Sequence, residues 1–180
     1  MMSRPDQHLP AHPAPDYSGL TIALAIETEA WETAGLGDLE ATILHVLRAA
    51  ARALALPADL TSEVAVTLAD DATVRKANRE WRGKDKPTNI LSFPMMDLAP
   101  GDAPGPLAGD LLLAFETVKA EAEAENKRLH DHFSHLLVHG FLHLLGYDHE
   151  DDQDAEEMES CEIAILDGLG IANPYEETAP

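Results

Sequence analysis

Residues 139–149 read HGFLHLLGYDH, and three histidines at that spacing can hold a metal. His139 and His143 are four apart, so a helix carries both imidazoles on one face, about 6 Å apart along its axis. His149 lies past Gly146, a residue suited to the left-handed turn that ends a helix and reverses the chain. Three neutral imidazoles can bind one ion at about 2.0–2.1 Å and leave a fourth position for water, the arrangement of a catalytic zinc site. The candidate ligands are therefore His139, His143 and His149, with one Zn2+ per chain, although nickel or copper also suits three imidazoles. His135 is the rival, four residues before His139 on the same stripe. Using it needs a helix-only triple spread over two turns, so its expected place is packed behind the ligands. Asp148 has two readings: it orients a histidine or the metal water, or it is an exposed turn residue.

The segment also follows HExxHxxGxxH, the metzincin protease signature, except that Gly140 stands where that signature has its glutamate. In those proteases the glutamate carries a proton from the zinc water to the leaving amine. Amide hydrolysis depends on that relay. A phosphodiester depends on it less if a cation neutralises the phosphorane. Half of the twelve Lys and Arg residues fall in one short stretch: Arg75, Lys76, Arg79, Arg82, Lys84 and Lys86. Such a stretch can present a local basic face to a polyanion even though the net charge is −21. Arg75 and Lys76 read as a solvated helix face.

The elements that must position these residues follow from hydropathy period and turn chemistry. Strands are expected at 20–26, 63–68, 89–93 and 110–115. Helices are expected at 39–56, from an Asp70 or Asp71 cap to Gly83, through the polar run 116–127, at 130–145 and at 154–169. Between the last two strands lies a loop at 95–109, dense in proline and glycine. The fold class is α+β: a single domain with a four-stranded mixed sheet, about five helices, and the metal site on a central apolar helix and its following turn. The last two strands suit an antiparallel pair. The domain is expected over 19–172, after a flexible lead-in at 1–18 and before a C-terminal tail at 173–180.

No stretch is long and apolar enough to span a membrane, and no charged start precedes an apolar run as in a secretory signal. A single cysteine, Cys161, excludes an internal disulfide and suits a reducing, cytoplasmic setting. It falls on the apolar side of a helical pattern with Met158 and Ile165, as a small core residue.

HGFLHLLGYDH, together with REWRGKDKPTNILSFP and the strand GDLLLAF, resembles the YbeY family of bacterial rRNA-maturation endoribonucleases over residues 64–165. The resemblance implies a cytoplasmic, zinc-dependent, single-strand-specific endoribonuclease acting in rRNA 3'-end maturation and ribosome biogenesis. Its implied partners are a ribosomal RNA precursor and the small ribosomal subunit, with no DNA. It also implies that His139, His143 and His149 are the metal ligands and Arg82 the functional arginine. Arg82 suits that role, since a planar guanidinium can take two phosphate oxygens at once. Lys84 and Lys86 are candidate RNA-binding residues that would hold flanking phosphates without reading sequence. Trp81 and Phe93 are the aromatics available for base stacking, with burial the better reading for Phe93. Two other readings compete: an atypical zinc peptidase with Asp148 or a remote carboxylate as base, and a non-catalytic ribosome-assembly factor whose zinc braces the fold.

Overall fold

Asp38, Asp70 and Asp151 each stand just before a helical run, and each accepts a hydrogen bond from the backbone N–H three residues on. These caps satisfy N–H groups that have no partner within their own helix. In the computed structural model, which describes residues 14–176, the order is β1 (Leu20–Ile26), α1 (Leu39–Ala53), β2 (Ser62–Ala69), α2 (Asp71–Arg82), β3 (Ile90–Pro94), β4 (Leu107–Ala114), α3 (Phe115–Ala124), α4 (Leu129–Leu144) and α5 (Asp152–Gly168). The sheet order is β1-β2-β4-β3. β1 and β4 run parallel to β2, while β3 runs antiparallel to β4 and forms an edge. This is the expected α+β domain with a mixed sheet and five helices.

Alternation along the strands divides the core in two. Val64, Val66, Leu68, Ile90, Leu111 and Leu113 meet α1 and α4 on one face. Ala69, Leu91 and Ala114 meet Val74 of α2 on the other. Trp31 closes the larger core, stacking edge-on to Phe115 at 5.1 Å and donating its indole N–H to the Ala69 carbonyl at 2.8 Å.

Helix α4 is the central piece, packed against β3, β4, α1, α3 and α5. Phe133, Leu137, Phe141 and Leu142 are fully buried, and each large apolar side chain so buried contributes about 1.5–3 kcal/mol. Gly140 is where α4 comes closest to the sheet. A Cβ there would lie 2.7 Å from Ile90 Cδ1 and 2.8 Å from Leu111 Cδ2. A glutamate here would have to displace the Ile90 and Leu111 side chains and disturb the core. Gly140 is a packing residue.

Two element bounds need correction. β4 starts at Leu107 rather than 110, because Leu107 pairs with Glu63 of β2 and Gly109 with Pro94 of β3. α1 stops at Ala53 rather than 56: Ala55 adopts φ 51°, and the N–H groups of Leu54 and Leu56 bond back to Ala50 and Ala51. Residues 1–13 of the expected lead-in lie outside the described residues, but Tyr17 is buried and donates its hydroxyl to the Leu56 carbonyl at 2.7 Å. Residues 177–180 of the expected tail also lie outside them, yet Pro174 accepts a hydrogen bond from Lys127 Nζ at 2.9 Å and Tyr175 reaches Glu162.

Candidate metal centre

The C-terminal half of α4 carries His139 and His143 on one face, with their Nε2 atoms 3.1 Å apart. The chain then turns at Gly146, whose φ is 95° and where a Cβ would collide with the Leu98 carbonyl. That turn returns His149, and the nearest ring nitrogens of the three histidines all lie within 4.8 Å of one another. Asp148 accepts the backbone N–H of His149 at 2.8 Å, so its carboxylate helps shape the turn.

The rings are held from behind. His143 Nδ1 lies 2.9 Å from the Tyr147 carbonyl oxygen, and His139 Nδ1 lies 2.5 Å from Glu162 Oε1. A carbonyl can only accept, so His143 Nδ1 carries a proton. Burial works to raise the Glu162 pKa, but hydrogen bonds from His135, His139 and Tyr175 overcome it and bring it down to about 2. Glu162 is therefore an ionised acceptor, and His139 Nδ1 also carries a proton. In the neutral tautomers this leaves a lone pair on each Nε2, and the two lone pairs face each other. Protonating His143 would relieve the clash, but burial and the neighbouring His139 push its pKa down to about 4. A cation between the two nitrogens resolves the conflict. The donor set fits a metal ion, and hydrogen bonds at Nδ1 are the usual way ligand histidines are oriented.

His143 and His149 open into a cleft of about 410 Å³ that Arg82, Ser92, Met96 and Asp148 also line. Arg82 closes α2 and reaches over the edge strand β3, its guanidinium 3.5 Å from the Ser92 carbonyl oxygen. Lys84 and Lys86 are exposed but do not line this cleft. Their loop is pinned by Asn78, which donates to the Lys86 carbonyl at 2.8 Å. Asp85 in the same loop binds Arg75 at 2.9 Å and approaches Arg79 at 4.0 Å. Arg82, Lys84 and Lys86 take part in no ion pair among the described residues. Trp81 is 75% exposed and Phe93 half-buried, their rings 6.2 Å apart.

His135 is outside the ligand group and donates to Glu162 Oε2 at 3.2 Å. Glu162 is the residue that sequence reading missed. It lies in an acid-rich stretch, yet it shares the buried face of α5 with Met158, Ile165 and Leu166. A carboxylate on an apolar stripe was the available signal.

The family described as Endoribonuclease YbeY matches residues 25–170. The chain belongs to this family. The Endoribonuclease YbeY of Paramagnetospirillum magneticum is 52% identical over 163 residues, 88% of this chain and 97% of that protein. That of Azorhizobium caulinodans is 49% identical over 156 residues, covering 87% and 96%. A Thermotoga maritima protein determined in solution superposes with a TM-score of 0.52 over 89% of this chain and 97% of that one. At 21% identity it supports the fold alone. The YbeY match includes Arg82, the three histidines and Glu162, and it ends before Tyr175.

Proposed function

We propose that the protein is a zinc-dependent endoribonuclease that cuts single-stranded RNA during ribosomal RNA maturation in the cytoplasm, on a precursor presented by the small ribosomal subunit. One observation carries the catalytic part of this reading: His143, whose Nε2 faces that of His139 at 3.1 Å, opens with His149 into the same cleft as Arg82, which makes no ion pair among the described residues. His139, His143 and His149 would hold the ion, which when bound lowers the pKa of water and polarises a phosphoryl oxygen. Arg82, lining the same cleft, would bind the scissile phosphate and stabilise the charge that grows on its oxygens. Glu162 and the Tyr147 carbonyl hold the two helix imidazoles in the liganding tautomer.

The peptidase reading has to take its base from outside the helix motif, and Asp148, the carboxylate next to His149 in sequence, is engaged by the His149 backbone N–H at 2.8 Å. The test is a paired assay of the purified protein on single-stranded RNA and on casein, each with and without a zinc chelator. Expected is chelator-sensitive cleavage of RNA and none of casein. Cleavage of casein alone would support a peptidase, and cleavage of neither a non-catalytic assembly factor.

A further inference from the structure

The segment after α5 returns to the back of the metal centre. Lys127 Nζ donates to the Pro174 carbonyl at 2.9 Å and pairs with Glu125 at 2.9 Å, fastening the segment to the end of α3. Next in sequence, Tyr175 donates its hydroxyl to Glu162 Oε2 and sets its ring edge-on to His135, centroids 5.6 Å apart. Glu162 is fully buried, with Oε1 on His139 and Oε2 shared between His135 and Tyr175. Two of these three donors come from α4. The third comes from a segment beyond the family match, joined to α5 by a turn.

We propose that Tyr175 is a positioning residue for the metal centre, acting through Glu162 to hold His139 in its liganding orientation, so that the C-terminal segment tunes metal affinity. A carboxylate with both oxygens engaged cannot rotate about its terminal bond without breaking a hydrogen bond. Removing the tyrosine hydroxyl leaves Oε2 held only by the 3.2 Å contact to His135, and Glu162 then fixes the His139 ring less firmly. Burial, followed by the Glu162 charge, raises the Tyr175 pKa, so the hydroxyl remains a donor. Tyr175 is 45% exposed, so its hydroxyl can be removed with little effect on the core.

The inference rests on the histidine triple binding a metal, and the experiment separates the two. Zinc affinity is measured by chelator competition on the full chain, and the cobalt-substituted protein is followed by its visible spectrum. Tyr175→Phe keeps the ring against His135 and should weaken zinc binding about tenfold, within the 10–100-fold range of lost outer hydrogen bonds, and alter the cobalt spectrum. The metal-free protein should stay folded, with a somewhat lower thermal midpoint because the buried carboxylate loses one donor. Lys127→Met, which frees the segment without touching the centre, should weaken binding in the same direction but less. In a Glu162→Gln background, Tyr175→Phe should have little further effect. Wild-type affinity in Tyr175→Phe would overturn the proposal, as would an undiminished loss in the Glu162→Gln background. Failure of the wild-type protein to bind zinc would instead overturn the metal centre itself.

Discussion

On the inner side of His139 no solvent reaches Glu162, and both its oxygens are engaged by donors from α4 and the C-terminal segment. On the outer side His149 and Arg82 are exposed, on a turn and at a helix end. The inner side is packed and hydrogen-bonded, which fixes geometry. The outer side is open, with Arg82 the one permanently cationic side chain in a cleft that Asp97, Asp148 and Glu150 also line, so the arginine is where an anionic ligand would be met. The contrast separates the packed supports behind the histidine cluster from the open cleft in front, where His149 completes the cluster and Arg82 faces solvent, so substitutions at Glu162 and at Arg82 should fail in different ways.

The largest expected effect is on the inner side. His139→Ala or His143→Ala should take zinc stoichiometry from about one per chain to near zero, since either leaves only two imidazoles to fill the site. His135→Ala should stay near one, because His135 meets Glu162 and not the ligand cluster. Metal analysis of the purified variants measures this. A metal-free His135→Ala would erase the distinction between ligand and supporting histidine.

Next comes the outer side. Arg82→Ala should keep zinc and fold yet slow RNA cleavage by about two to three orders of magnitude, the scale of losing one transition-state donor. Arg82→Lys should recover only part, since a point charge cannot make the bidentate contact. Single-turnover cleavage of a short single-stranded RNA is the measurement. Undiminished cleavage by Arg82→Ala would reduce the outer side to a binding surface.

The two sides were not equally legible in the sequence. The histidine cluster could be read because its geometry is local: a four-residue helical spacing and one glycine reversal bring His139, His143 and His149 together. The Asp38, Asp70 and Asp151 caps are local too, and so is the antiparallel β3–β4 pair. Glu162 was hidden because its partners lie 13 to 27 residues away in sequence and its neighbours are solvated acids. Tyr17 and Tyr175 were placed in the terminal segments for the same reason, since proline-rich sequence gives no periodicity while their hydroxyls find distant acceptors. Local basicity overstated the cleft: it identified the stretch that carries Arg82, but Lys84 and Lys86 leave the wall where the loop turns away.

A smaller effect concerns acid. In the metal-free protein, His143 has a folded pKa of about 4 against an ordinary value near 6.5. Between those values the unfolded chain binds more protons, so stability falls as pH drops from about 6.5 towards 4. Glu162, with a folded pKa of about 2 against 4.5, adds a second loss that begins below about 4.5 and continues through 2. Both inner groups thus weaken the fold in acid, in successive windows. Urea denaturation across pH should give a flatter upper window in His143→Asn and a flatter lower window in Glu162→Gln. Unchanged slopes in both variants would mean these groups are not perturbed by their surroundings.

The smallest effect tests how far the outer surface extends beyond the cleft. With Arg82, Lys84 and Lys86 each neutralising one phosphate of single-stranded RNA, log affinity against log salt should have a slope of roughly −2, at about −0.7 per contact. Lys84 and Lys86 lie outside the cleft, so Lys84→Ala and Lys86→Ala should each flatten the slope by somewhat under one unit while cleavage of bound RNA keeps its rate. Both should weaken all sequences alike, because phosphate contacts position without specifying. The chain as a whole carries a net charge of −21, so the surface outside this strip should repel RNA and confine binding to it. A slope steeper than about −4 would require contacts well beyond Arg82, Lys84 and Lys86, and the outer side would then be a broad basic surface instead of a narrow one.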